Sequence, residues 1–246
     1  MTGIRVPFYK KMSSSSSLDR DYLSVCRDYG SGRDLLVAIA GDSHACRVYP
    51  HIKGLISNSD TGFILHPDNF AVGGVRAHLY TATQEFRNLI DSPAEIIIMW
   101  ISSNDFDSIR PSNISESRYR FDLINSIIKI FKLLTERGKI VYIIGIPIRY
   151  TTRNSCKEWL QRRVRAANLR LTSLLRNRFI QLNSSYRAIE NFASERFRGQ
   201  HRNEMVHFIP RMYQMLSYDL VRHISEDLRS RKSIPCKFWH KLRNEY

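Results

Sequence analysis

The chain has 246 residues, 43% of them hydrophobic, with a formal net charge of +15 and a pI near 9.9. That is enough apolar material for one α/β core without division into two, and the charge gives a field that attracts polyanions. No apolar run approaches the roughly 20 residues of a membrane helix and no stretch has the layout of a signal peptide, while Cys26, Cys46, Cys156 and Cys236 lack the paired spacing of a zinc site or a disulfide framework. The expectation is an intracellular protein with free thiols and without a metal or organic cofactor.

Residues 1–33 carry Lys10-Lys11, a serine run from Ser13 to Ser17 and Gly30-Ser31-Gly32, and read as a flexible leader to a domain over 34–228. The apolar run from Leu35 to Ala40 predicts a strand buried on both faces. Gly41-Asp42 ends it abruptly, so Ser43 falls at the strand's carboxyl end, where an amphipathic segment begins. Ligands of open α/β sheets bind at such ends, and a helix N-terminus offers N–H groups to a developing negative charge. Ser43 is therefore either a nucleophile or merely the cap of the helix. Asp42 is expected to brace the turn through local hydrogen bonds. His44 adjoins Ser43 and either contacts substrate or is only part of the helix's first turn, and Cys46 is a candidate for the pocket wall.

A strand near Asn69 to Gly73 runs into Gly74, and glycine's missing Cβ lets a backbone N–H approach a ligand closely. The next strand, near Glu95 to Ile101, ends in Ser102-Ser103-Asn104-Asp105. This places the Asn104 amide at another carboxyl end as an oxyanion candidate, with Asp105 bracing its loop. Leu123, Ile124, Ile127, Ile128, Phe131 and Leu134 recur at the spacing of a buried helical stripe. Strands near Lys139 to Ile146 and Phe179 to Asn183 follow, and their alternation with helices predicts a three-layer α/β/α sandwich around a five-stranded parallel sheet. Glu204-Met205-Val206-His207 then precedes a helix after Pro210, whose Tyr213, Leu216, Leu220, Ile224 and Leu228 face the core. A carboxylate three residues from an imidazole suits a base whose Nδ1–H is held by Glu204 while Nε2 faces Ser43.

Taken in order, Gly-Asp-Ser, Gly, Asn-Asp and acid-x-x-His resemble the SGNH (GDSL-type) hydrolase family over about residues 34 to 228, which implies a flavodoxin-like sheet. The resemblance implies Ser43 as nucleophile, His207 as base, Glu204 as its orienting acid, and an oxyanion hole made by the N–H groups of Ser43 and Gly74 with the Asn104 side chain. The family usually has glycine where this chain has Ser102, and aspartate where it has Glu204. The activity implied is serine-dependent hydrolysis of a small-molecule ester through an acyl-enzyme, with a carbohydrate or acetyl-group esterase as a variant. The second glycine of the α/β-hydrolase elbow, the phosphate-cradling and dinucleotide loops and the His-Glu-x-x-His zinc motif are all missing from the sequence.

Basic residues concentrate in Arg162, Arg163, Arg165, Arg170, Arg176 and Arg178, and in a tail over 229–246 where Phe238 and Trp239 lie among lysines and arginines. Cations interleaved with aromatics suit nucleic acid, whose phosphates they neutralise and whose bases they stack on; the alternative is a solvated basic face. The competing function is thus a module of the same fold with a drifted site, kept for binding nucleic acid or a protein. Basic intracellular domains of this look also resemble those encoded by animal transposable elements.

Overall fold

Side chains leave a strand alternately on opposite faces, so a run that is apolar throughout needs cover on both. A computed structural model, which describes residues 34–57, 62–106, 116–147, 154–181, 207–208 and 210–232, supplies that cover. Its strands are β1 (Leu35–Gly41), β2 (Phe63–Leu65), β3 (Phe70–Ala71), β4 (Ile96–Trp100), β5 (Ile140–Ile144) and β6 (Phe179–Ile180). All pairings are parallel, in the order β2-β1-β4-β5-β6, with β3 also on β1. Helices α1 (Ser43–Ser57) and α6 (Pro210–Lys232) cover one face; α2 (Ala77–Tyr80), α3 (Gln84–Asp91), α4 (Glu116–Glu136) and α5 (Asn154–Leu175) cover the other. The expected three-layer α/β/α architecture is therefore observed.

The alternation is strict. Ile39, Ile98, Trp100, Tyr142 and Ile144 pack beneath α1 and α6, while Ala38, Ala40, Ile97, Met99, Val141 and Ile143 pack against the other layer. Each isoleucine, valine or methionine among them contributes on the order of 1.5 to 3 kcal/mol by leaving water, and each alanine less. The α4 stripe buries Leu123, Ile124, Ile127 and Leu134, with Ile128 and Phe131 half-buried at its margin. On α6, all of Tyr213, Leu216, Leu220, Ile224 and Leu228 are buried.

Three sequence expectations change. The strand near Asn69 to Gly73 shrinks to Phe70–Ala71, and Phe63–Leu65 pairs with the first part of β1, so two short strands share one lane of the sheet. Pro67 lies between them and has no N–H with which to continue a ladder. The expected basic tail from Arg229 begins inside α6, which continues to Lys232. Arg163 is 7% exposed and so does not belong to the basic surface, because its helical phase is that of Ala167 on the core side of α5; Arg162, Arg165 and Arg170 are exposed. The leader, Glu204 and the tail beyond Lys232 lie outside the described residues. Among those described, no helix is long and apolar enough to cross a membrane.

Candidate active site

Gly41 closes β1 at φ +133°, and a Cβ there would lie 1.8 Å from the Trp100 carbonyl oxygen. Only a residue without a side chain fits between the ends of β1 and β4. The close approach lets the Asp42 N–H donate to that same oxygen over 2.8 Å, and it turns the Asp42 side chain inward, where it is fully buried. Asp42 Oδ1 accepts the His44 N–H at 2.9 Å, while Oδ2 accepts the Ser103 N–H at 2.9 Å and the Ser103 hydroxyl at 2.6 Å. Accepting from the second residue of a helix is what an N-cap side chain does. Asp42 is therefore the cap of α1, and Ser43 is released from that role.

Ser43 is the first residue of α1 and half-buried, and its Oγ lies 2.9 Å from His207 Nε2. That is hydrogen-bond distance between a hydroxyl and a candidate base. The Asp42–Ser103 bonds hold the loop after β4 against this turn. In that loop Asn104 opens a single 3₁₀ turn (Asn104–Phe106), and its Nδ2 donates to the Val75 carbonyl at 3.1 Å. Asp105 accepts the Ala77 N–H through both oxygens, at 3.0 and 3.3 Å. Gly74 turns the chain just before these anchors, at φ +75°. Asn104 and Asp105 thus fasten the segment that follows Gly74, at Val75 and at Ala77. Burial pushes the Asp105 carboxyl above its ordinary pKa, and the Ala77 N–H and the charges of His78 and Arg76 offset this in part.

His44, offered by the sequence as either a substrate contact or part of the first turn, points into the core. It is fully buried, stacks on Trp100 with ring centroids 5.0 Å apart, and meets Phe208 and His207 at 5.3 and 5.4 Å. Its Nδ1 is 2.9 Å from the Tyr213 hydroxyl, which also accepts the Phe208 N–H at 3.4 Å. This cluster is the seat on which the His207 segment rests. Tyr213 entered the sequence reading only as a core residue of the last helix, and Ser103 only as part of a serine pair after a strand. Their contacts cross between distant parts of the chain, which spacing alone does not reveal. Cys46 is half-buried, and burial, reinforced by the Asp42 charge, raises its thiol pKa, so the thiolate is disfavoured. Among the described residues no three His, Cys, Asp or Glu side chains converge where a metal could sit.

Ser102, where the resembled family usually has glycine, has φ +95° and a buried Oγ with no hydrogen-bond partner among the described residues. A left-handed conformation at a residue with a Cβ costs about 1 to 2 kcal/mol, and a buried unpaired hydroxyl adds to it. Ser102→Gly should therefore raise stability by about 1 kcal/mol despite glycine's greater entropy when unfolded, and urea unfolding measures it. A lower midpoint would mean that the hydroxyl supports the loop.

No protein-family model matches the chain, and no curated protein matches it. Solved structures do. A GDSL-like lipase from Bacteroides thetaiotaomicron superposes with a TM-score of 0.54 at 15% identity, over 78% of this chain and 88% of that one. The acetyl xylan esterase AlAXEase gives 0.54 at 11% identity, over 76% and 98%. The esterase EstA from Pseudoalteromonas, in a structure inhibited by monoethylphosphonate, gives 0.52 at 11% identity, over 80% and 100%. At these identities the likeness establishes the fold, that of SGNH hydrolase-like proteins.

Proposed function

We propose that the protein is a serine ester hydrolase. The observation that carries this reading is the 2.9 Å approach of Ser43 Oγ to His207 Nε2 at the carboxyl end of β1, with the helix cap supplied by a different residue. His207 takes the Ser43 proton as Oγ attacks the ester carbonyl. The tetrahedral oxyanion is received by the N–H groups of Ser43 and Gly74 and the Asn104 amide. Collapse breaks the ester C–O bond, and His207 gives its proton to the departing alcohol. Water activated by the same imidazole then releases the acid. Glu204 is assigned the Nδ1–H of His207, where its charge stabilises the imidazolium.

A neutral fluorophosphonate with mass-spectrometric mapping tests the nucleophile. A Ser43 adduct is the expected result, and an unlabelled folded protein would end the proposal. Asn104→Ala should lower kcat on a short activated ester about 10²- to 10³-fold, the usual loss of one oxyanion donor. Full activity in that variant would remove Asn104 from the mechanism. Fold likeness to an acetyl xylan esterase and a GDSL-like lipase supports ester chemistry in general and leaves the acyl group open.

A second reading, nucleic-acid contact, draws on the exposed arginines 162, 165 and 170 along α5. Its mark is an affinity whose logarithm falls with the logarithm of salt concentration, with a slope reduced by charge-neutralising substitutions. The intracellular setting and the likeness to transposable-element proteins stand on the sequence alone.

A further inference from the structure

Arg47 lies one helical turn beyond Ser43 on α1 and is exposed. Helical side chains tilt toward the N-terminus, so this i, i+4 spacing puts Arg47 on the same face of α1 as Ser43, one turn along and leaning toward it. It also lies three residues after His44 and four before His51, and both of those rings face Tyr213 on α6. Arg47 is thus on the His207 flank of Ser43, and its charge bears on the Tyr213 hydroxyl. Among the described residues it makes no ion pair. Arg76, near Gly74, differs in that its charge bears on the buried Asp105 carboxylate.

Glu204 is assigned to His207 above, and among the described residues the carboxylates of Asp42 and Asp105 are both committed. Asp42 is buried under three hydrogen bonds, and Asp105 is buried against the Ala77 N–H. Neither faces outward to neutralise Arg47. The first N–H groups of α1 add positive potential at the same end. A cation left in this position, on the side where the base hands its proton to the leaving oxygen, has a chemical meaning.

We propose that Arg47 selects esters whose leaving group carries an anion, a carboxylate, sulfate or phosphate. This rests on the hydrolase reading above. The covalent step is unchanged: the Ser43 Oγ–acyl bond forms, the ester C–O bond breaks, and the proton on His207 passes to the alcohol, while the anionic group stays intact beside the guanidinium. Arg rather than Lys suits such a contact, because its fork meets two oxygens at once.

The test compares two acetyl esters of similar leaving ability, para-acetoxybenzoate and para-acetoxybenzamide, with the full chain. The ratio of their kcat/KM values should favour the carboxylate about five- to ten-fold at low salt and should shrink as salt is added. In Arg47→Gln the ratio should fall to about one through a higher KM for the carboxylate, and Arg47→Lys should restore part of it. A ratio near one in the unmodified protein, or a preference that survives Arg47→Gln, would overturn the assignment while leaving the hydrolase reading in place. Failure to hydrolyse either ester, together with no fluorophosphonate adduct at Ser43, would remove both.

Discussion

Ser43→Ala should lower kcat on a short activated ester by about 10⁶-fold, and His207→Ala by nearly as much, with the double variant no worse than either single one. Nucleophile and base act as a unit, so once one is gone the other has nothing left to contribute. The structure makes this a clean experiment. Ser43 is not the cap of α1, since Asp42 Oδ1 accepts the His44 N–H, so losing the hydroxyl should leave the unfolding midpoint almost where it was. His207→Ala removes a ring that touches His44 at 5.4 Å and so should cost some stability as well as activity. Hydrolysis that persists in Ser43→Ala at the unmodified rate would show that another group or a contaminant performs it.

The largest expected effect on folding comes from a methyl group. Gly41→Ala puts a Cβ 1.8 Å from the Trp100 carbonyl oxygen and 2.5 Å from its carbon, on a backbone already at φ +133°. Both neighbours are main-chain atoms of the adjacent central strand, so no side-chain rotation relieves the clash. Relief requires β1 and β4 to separate where Asp42 N–H meets Trp100 O, and the separation would also pull Asp42 away from Ser103. The variant should lose more than about 4 kcal/mol, the range reserved for disrupted cores and strained special conformations, or fail to fold. Gly54→Ala is the matched control: a Cβ on this exposed position of α1 meets nothing within 4 Å, and alanine should gain about 0.5 to 1 kcal/mol there. Chemical denaturation of the pair decides it, and equal midpoints would mean that the two strands part more easily than the register implies.

These two results would come from positions the sequence marks in different ways. Ser43, Gly74 and Asn104 stand where apolar runs stop, and that discontinuity is local, so it can be read from spacing. Strands β1, β4 and β5 were legible for the same reason, being continuous and apolar, and the structure gives them almost the expected limits. Short elements were not. Phe63–Leu65 is three residues long and owes its strand state to pairing with Leu35, Leu36 and Val37, a tertiary fact. The Asp42–Ser103 clamp and the Tyr213–His44 contact join residues 61 and 169 positions apart and leave no trace in periodicity. Arg163 is a different case. Its phase on α5 was available from the sequence, but counting arginines as surface charge hid that it shares a face with Ala167.

The divided lane formed by β2 and β3 bears on how copies of this chain meet. A sheet invites edge-to-edge growth where a long flat strand exposes its unpaired N–H and C=O groups. Here one border is a three-residue strand, a break at Pro67 and a two-residue strand, while the opposite border, among the described residues, is Phe179–Ile180. The break is pinned, since the Tyr49 hydroxyl donates to the carbonyls of His66 and Pro67 and so occupies acceptors that an incoming strand would need. Among the described residues neither border offers a continuous ladder as long as β1 or β4. Self-association of this domain is thereby steered away from sheet extension and toward its helical faces, and the sheet is blunted against the β-mediated aggregation to which its apolar centre would otherwise expose it.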